Sequence, residues 1–269
     1  MSGSHDKSLF ARSFRQKTPL MMLAYPPFSL VTANDDFVLI DKAPGIDMHQ
    51  RGVQPGIVTQ VREALGFDEL YPVHRLDSMT SGLLLLARHR AANQVLSGLF
   101  RERRVEKYYV ALSDRKPSRK QGRVVGDLLK SRDGSWKLAK TMENPSVTRF
   151  LSQGTGLGLR LFLLRPFTGK THQLRVVMRS LGAPILGDPR YYSGTSPYLA
   201  GEGTLSGADR GYLHAFGLVF PWQGKVLHWV VPPTLGRLFN EPAVRTSLEA
   251  WSQPWSQGWP EGSLLVRKP

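Results

Sequence analysis

The segment best suited to chemistry is residues 71–82, with the sequence YPVHRLDSMTSG, which leads directly into the apolar run Leu83–Leu86. That run has no alternation of polar and apolar residues, as expected for a strand buried on both faces. The polar side chains of His74, Arg75 and Asp77 are costly to bury at its edge unless they are paired. A polar loop positioned by a rigid strand is typical of an active site. A second interpretation stays open, in which the Asp77 carboxylate only caps backbone amides in a turn.

A second polar segment, residues 165–175 with the sequence RPFTGKTHQLR, offers a lysine, a histidine and two arginines. Its Gly-Lys-Thr triplet suggests a phosphate-binding P-loop, but that motif requires a glycine at position 164, which is Leu164. The sequence contains no G-x-S-x-G, which disfavours a serine hydrolase of that type. A metal site built from His74, His172, His214 and Asp77 is also disfavoured, because no two of the three histidines share a tight spacing.

Hydrophobic periodicity predicts the elements that must position these two segments. Amphipathic helices are predicted over residues 92–100 and 174–181, the second with His172, Arg175 and Arg179 beside its apolar stripe. A short helix is predicted over 57–65, and strands over residues 37–40, 83–86, 108–112, 147–151, 159–164, 213–220 and 226–231. Because helices and strands do not alternate regularly, we expect an α+β fold with a mixed, largely antiparallel central sheet flanked by helices and loops.

The composition suggests a polyanionic partner. The 269 residues include 36 Lys and Arg against 21 Asp and Glu, a net charge of +15, and no cysteine. Disulfides, thiol nucleophiles and zinc sites with sulfur ligands are therefore excluded. Residues 101–140 alone contain 13 basic and 5 acidic residues, with Tyr108, Tyr109 and Trp136 among them. Such cations can neutralise phosphates and such rings can stack on bases, although a merely solvated charged face remains the alternative.

The two ends of the chain differ from its middle. Residues 1–25 are polar or irregular, and we expect them to be loosely ordered. Residues 241–269 form a Trp-rich extension in which Trp251, Trp255 and Trp259 are spaced by four. These rings either pack the tail onto the body, which we favour, or offer a surface for stacking or self-association. No run of about 18 apolar residues is present, so we expect a cytoplasmic protein without a membrane span.

Five short elements, in this order, show which family the chain resembles. They are HRLD at 74–77 followed by TSGLLL at 80–85, KYY at 107–109, GKTHQLR at 169–175, LGAPILGD at 181–188 and LHA at 213–215. Over about residues 30 to 235 the chain resembles the RluA-type family of RNA pseudouridine synthases. It departs from the family pattern at residues 42–45, which read KAPG instead of K-P-x-G, and at Ser78, Met79, Lys170 and Val177. We expect these departures to affect substrate choice and not activity.

The resemblance implies isomerisation of a uridine within RNA. The bond between N1 and C1′ breaks and C5 joins C1′, so no cofactor is required. The resemblance assigns the catalytic carboxylate to Asp77 and its ion-pair partner to Arg175. It places the ring of Tyr109 against the uracil and makes its hydroxyl a candidate acceptor for the C5 proton.

The resemblance also implies how the RNA is held. The target base must be flipped out of its stack, at a cost of a few kcal/mol. Arg75 would fill the gap that the base leaves and Leu174 would pack beneath it, with His74 and Thr80 as further substrate-binding residues. We expect the RNA backbone to lie on a basic surface formed by Arg101, Arg103, Arg104, Arg115, Lys116, Arg119 and Lys120.

The expected partner is therefore tRNA or ribosomal RNA, bound by a monomer whose catalytic domain spans residues 26–240. Two other classes compete with this interpretation. A catalytically silent RNA-binding or folding factor on the same scaffold is disfavoured by the intact Asp77, Tyr109 and Arg175. A DNA-directed protein is disfavoured because the ribose chemistry needs the 2′-hydroxyl group.

Overall fold

The computed structural model describes residues 25–198 and 209–260, so the predicted loosely ordered segment 1–25 lies outside the described residues except for Tyr25. The strands are β1 (Phe28–Ala33), β2 (Phe37–Lys42), β3 (Tyr71–Pro72), β4 (Ser81–Ala87), β5 (Glu106–Ser113), β6 (Gln121–Gly126), β7 (Leu128–Lys130), β8 (Trp136–Leu138), β9 (Ser146–Gly154), β10 (Arg160–Pro166), β11 (Leu213–Trp222) and β12 (Lys225–Val230). The α-helices are α1 (Ile57–Leu65), α2 (Arg90–Arg101), α3 (Gln173–Ser180) and α4 (Pro242–Glu249).

Ten of the strands form one sheet, with the order β1-β2-β4-β11-β5-β10-β9-β6. β3 pairs with β4 and β12 with β11, while β7 and β8 form a separate hairpin. Among these strands only β4 and β11 run parallel to each other, with Ser81 opposite His214 and Gly82 opposite Ala215. The predicted α+β fold with a mixed, largely antiparallel sheet is confirmed.

β4 shows why its leucines do not alternate with polar residues. Every residue from Ser81 to Ala87 is buried, because β2 and β11 flank the strand and both of its faces are covered. The parallel neighbour comes so close that a Cβ on Gly82 would collide with the Ala215 carbonyl oxygen. Gly82 also has φ of +107°, which a side chain disfavours. A glycine is therefore needed where the loop that carries Asp77 enters the sheet.

Two hydrophobic cores cover the sheet. The first, here the α2 core, joins β2, β4, α1 and α2 around Leu39, Leu84 and Leu96. The second, here the α3 core, joins β5, β10, α3 and α4 around Phe162 and Val177. The predicted helices and strands contribute the expected apolar faces, apart from Val95 of α2 and Val226 of β12, which are 53% and 68% exposed.

The C-terminal tryptophans pack onto the body, as predicted. Trp251 is buried in the α3 core. The ring of Trp255 lies 4.9 Å from that of His228, and the ring of Trp259 lies 5.9 Å from that of Tyr108. In the described ranges, no helix is both long enough and apolar enough to cross a membrane.

Candidate active site

The loop between β3 and β4 presents Asp77 to solvent. Its turn is closed by the backbone, because the Thr80 amide donates to the Asp77 carbonyl oxygen over 3.0 Å. The Asp77 carboxylate is 31% exposed and contacts the Arg175 guanidinium at 3.3 Å. The alternative that this carboxylate only caps amides of its own turn is therefore wrong.

His74 holds the start of this loop against the sheet. Its Nε2 accepts a hydrogen bond from the Leu85 amide at 3.0 Å, and its ring stacks on Phe100 with centroids 4.5 Å apart. Burial, with a smaller contribution from the nearby charge of Lys107, lowers the pKa of His74 to about 3. His74 is therefore neutral at physiological pH, with its proton on Nδ1 so that Nε2 can accept.

Lys42 anchors the other end of the loop from inside the protein. This fully buried lysine donates to three backbone carbonyls, at 2.8, 2.9 and 3.2 Å, which belong to Ala43, Ile46 and Ser78. Burial, together with the positive charge of Arg210, lowers the pKa of Lys42 to about 7. Because Ser78 follows Asp77 in the chain, Lys42 fixes the backbone of the loop that carries Asp77.

Arg175 connects Asp77 to a second, fully buried carboxylate. Its Nε and Nη2 donate to the two oxygens of Asp188 at 2.8 Å each, while its Nη1 donates to Oδ2 of Asp77 at 3.3 Å. Asp188 also accepts the amides of Arg190 and Tyr191, at 2.9 and 3.0 Å. Burial alone would lower the pKa of Arg175, but Asp188 and Asp77 outweigh it and the pKa is raised. The guanidinium is thus a fixed positive charge beneath Asp77.

His172 precedes α3 in a left-handed conformation, with φ of +55°. That conformation is uncommon for a residue with a side chain and is a form of backbone strain found at functional sites. Its Nδ1 shares a hydrogen bond of 2.9 Å with the Tyr191 hydroxyl. The Tyr191 ring centroid lies 5.0 Å from the Arg175 guanidinium carbon, so one tyrosine supports both groups.

Tyr109 lies on β5 beside a bulge in β11, where the pairing register shifts between Ala215 and Gly217. Its ring packs against both hydrophobic cores. Burial and the negative charge of Asp77 raise the pKa of the Tyr109 hydroxyl. The side chain is therefore a neutral phenol at physiological pH.

One cleft with a volume of about 740 Å³ is lined by His74, Asp77, Tyr109, His172 and Arg175. It contains all seven side chains that the sequence predicts for catalysis and substrate binding: Asp77, Tyr109, Arg175, Arg75, Leu174, His74 and Thr80. An adjoining cavity of about 600 Å³ shares Asp77, Arg75, His172 and Arg175 with it. Asp77 is therefore reached from two sides.

The basic residues expected at the RNA backbone are divided between two places. Arg101 and Arg103 line the cleft, whereas the exposed Arg104 lies 3.7 Å from Glu102. The other four, Arg115, Lys116, Arg119 and Lys120, follow the far end of β5 and are absent from the cleft wall. The segment that carries them packs near the end of α3, where the Ser118 amide donates to the Leu181 carbonyl oxygen at 2.9 Å.

Sequence reasoning missed the roles of Asp188, Lys42 and Tyr191. Asp188 belongs to the LGAPILGD element, so the resemblance marked its position without assigning it a partner. The bond that joins it to Arg175 spans 13 residues across a loop, and no periodic pattern predicts such a contact. His214, one of the metal-ligand candidates, has its nitrogens bonded to Ser81 and the Val231 carbonyl, both at 2.8 Å. No metal-binding cluster of three groups occurs among the described residues.

Comparison with known proteins supplies the identity of the family. The family described as RNA pseudouridylate synthase matches residues 36–180. A Haemophilus influenzae protein named as an uncharacterized RNA pseudouridine synthase is 40% identical over 222 residues, covering 82% of this chain and 95% of that protein. The dual-specificity RNA pseudouridine synthase RluA of Pasteurella multocida is 36% identical over 174 residues, covering 62% and 78%. The chain belongs to the RluA-type family of RNA pseudouridine synthases.

A solved structure agrees with this assignment. Human RNA pseudouridylate synthase domain containing 4 superposes with a TM-score of 0.63 at 26% sequence identity, covering 78% of this chain and 89% of that one. The pseudouridine synthase fold expected from the resemblance is therefore confirmed. As a pseudouridine synthase, the protein is an isomerase that acts on RNA.

Proposed function

We propose that this pseudouridine synthase isomerises a specific uridine in structured tRNA or ribosomal RNA, with Asp77 as the catalytic carboxylate and the target base flipped into the cleft. The observation that carries the proposal is the Asp77 carboxylate, exposed to the cleft and held at 3.3 Å by a buried arginine. A Vibrio parahaemolyticus relative, 34% identical over 207 residues, is named ribosomal large subunit pseudouridine synthase C. That match covers 76% of this chain and 64% of the relative. The name of the relative makes large-subunit ribosomal RNA the first substrate to test.

The geometry suggests how the carboxylate acts. Arg175 contacts only Oδ2 of Asp77, which leaves Oδ1 to face the ribose or the uracil. The reaction breaks the bond from N1 to C1′ and forms one from C5 to C1′, while C5 loses a proton and N1 gains one. Atoms and electrons therefore balance within the nucleotide. A single fixed carboxylate and groups that move one proton are enough for this reaction.

The other cleft residues have roles that follow from their chemistry. The raised pKa of Tyr109 disfavours a phenolate, so we assign its ring to stacking on the uracil and its neutral hydroxyl to proton relay. Leu174 supplies an apolar wall, and the exposed Arg75 stands where both cavities meet. Arg75 is therefore suited to fill the space left by the flipped base. His74 and Thr80 hold the loop to which Asp77 belongs.

We further propose that the protein acts as a cytoplasmic monomer. Residues 26–240 would form its catalytic domain, and residues 241–269 would be a C-terminal extension. The seven basic residues named above would bind RNA phosphates.

The decisive experiment is Asp77→Asn. The variant should fold and bind RNA but form no pseudouridine, because the amide lacks the negative charge that the reaction needs. Pseudouridine is measured by chemical labelling of large-subunit ribosomal RNA and tRNA purified from cells lacking the protein. Asp36→Asn is the matched control, since Asp36 is also a partly exposed carboxylate, bonded to His89 at 3.2 Å. Turnover by Asp77→Asn would contradict the proposed mechanism.

A further inference from the structure

A second cavity, here called the α3 groove, lies between α3 and the β7–β8 hairpin. Its volume is about 750 Å³, close to that of the catalytic cleft. The floor is apolar, formed by buried valines of β6 and α3 and by Leu138 and Leu181. The rim carries four exposed cations, Arg132, Lys137, Lys140 and Arg179.

The positive charge of this rim is not neutralised by the protein. None of the four cations forms an ion pair with a carboxylate in residues 25–198 or 209–260. The one carboxylate in the groove, Asp133, accepts the Ser135 amide and hydroxyl at 3.0 and 2.7 Å. A concave surface with several unpaired cations attracts a polyanion.

The groove is joined physically to the catalytic cleft. The Tyr191 hydroxyl accepts the Trp136 amide of the hairpin at 2.8 Å and bonds to His172 of the cleft at 2.9 Å. α3 runs from His172 in the cleft to Arg179 in the groove. Seven residues of α-helix span about 10 Å, a distance that a short stretch of RNA can bridge. One nucleic acid molecule can therefore occupy both.

We propose that the α3 groove binds the phosphate backbone of the substrate RNA within a few nucleotides of the target uridine. The proposal rests on the proposed function, because it takes the RNA already held in the cleft as the occupant of the groove. The Arg115–Lys120 segment would extend the same track, since its Ser118 lines one end of the groove.

The test is the double variant Lys137→Glu/Lys140→Glu. Binding is measured by filter retention at several salt concentrations with two probes, large-subunit ribosomal RNA and a uridine trinucleotide too short to leave the cleft. Each lost phosphate contact should flatten the plot of log affinity against log salt by about 1, so the double variant should lose about 2 from its slope on the ribosomal RNA. Its affinity for the trinucleotide should not change.

The matched control is Lys225→Glu/Arg62→Glu, which changes the net charge equally. Lys225 of β12 pairs with Trp222, which ends β11, whereas the cleft lies at the other end of β11, at Leu213. Arg62 is exposed on α1. A control that flattens the slope as much as the groove variant would overturn the proposal, and so would a groove variant with the wild-type slope. Asp77→Asn should retain the wild-type slope, so turnover by that variant would refute the proposed mechanism without affecting this comparison.

Discussion

Asp188 offers the sharpest test of how the active site is held together. Asp188→Asn keeps the size of the side chain but removes its charge. Oδ1 can still accept the amides of Arg190 and Tyr191, which both donate to that atom. The new NH₂ group takes the place of Oδ2, which accepts a hydrogen bond from the Arg175 Nε–H at 2.8 Å in the wild-type protein. Two hydrogen-bond donors then face each other and that bond is lost.

The magnitude follows from the burial of this pair. The side chain of Asp188 is 0% exposed and that of Arg175 is 7% exposed. Breaking a buried pair by changing one partner typically costs ~3–5 kcal/mol. Because Asp77 still contacts the guanidinium, we expect the lower end, about 3 kcal/mol, or about 6–12 °C in Tm for a chain of this size. A guanidinium that shifts by about 1 Å should also lower kcat about 100-fold.

Stability is measured by urea denaturation and kcat by pseudouridine labelling. The matched control is Asp127→Asn, since Asp127 is also buried and accepts two amides, from Glu143 and Asn144, but has no arginine partner. The double variant Arg175→Met/Asp188→Asn should recover most of the lost stability while staying inactive, because no guanidinium remains to face the new amide group and Oδ1 still accepts the amides of Arg190 and Tyr191. The reasoning is refuted if Asp188→Asn is no more destabilising than Asp127→Asn, or if it retains full turnover.

Two further predictions concern Lys42 and Gly82, which support the loop that carries Asp77. The pKa of Lys42 is about 7 in the folded protein and ordinarily 10.5, so between these values the unfolded chain binds the extra proton. The free energy of unfolding should therefore rise with pH in this window, by up to ~1.4 kcal/mol per pH unit relative to Lys42→Met. It is measured by urea denaturation at several pH values. The same dependence on pH in both proteins would contradict this prediction. Gly82→Ala should lower the free energy of unfolding by ~1–3 kcal/mol more than Gly66→Ala does, and it should abolish turnover. Both glycines have positive φ, but only at Gly82 would the new Cβ collide with a neighbouring backbone, that of Ala215. Equal losses of stability in the two glycine variants would argue against the close contact.

The elements with strong periodicity were predictable from the sequence because burial imposes that periodicity. The predicted helix over 57–65 coincides with α1, and the unbroken leucines of β4 correctly indicated a strand covered on both faces. The strands β1, β3, β6, β7 and β8 and the helix α4 were missed. The residues of β1, β7 and β8 are partly exposed, so no apolar pattern marks these strands. β3 has only two residues, and β6 has a single pair of valines in a strand that also contains two glycines.

The candidate site was predictable only where local sequence carries the information. The resemblance brought Asp77, Tyr109 and Arg175 together, and the structure places all three in one cleft. The contacts of Lys42 and Asp188 depend on chain segments that meet only after folding. A buried lysine that holds the carbonyl of Ser78, 36 residues away, leaves no trace in composition or spacing.

The side chains proposed to carry the chemistry are supported by two different hydrophobic cores. Leu76, beside Asp77, belongs to the α2 core, and Leu174, beside Arg175, belongs to the α3 core, while Tyr109 touches both. The ion pair of Asp77 and Arg175 therefore joins the two cores across strands that both of them share. A substitution that repacks either core moves one partner of the pair relative to the other while every helix and strand stays in place. Activity should therefore depend on core packing on both sides of Tyr109.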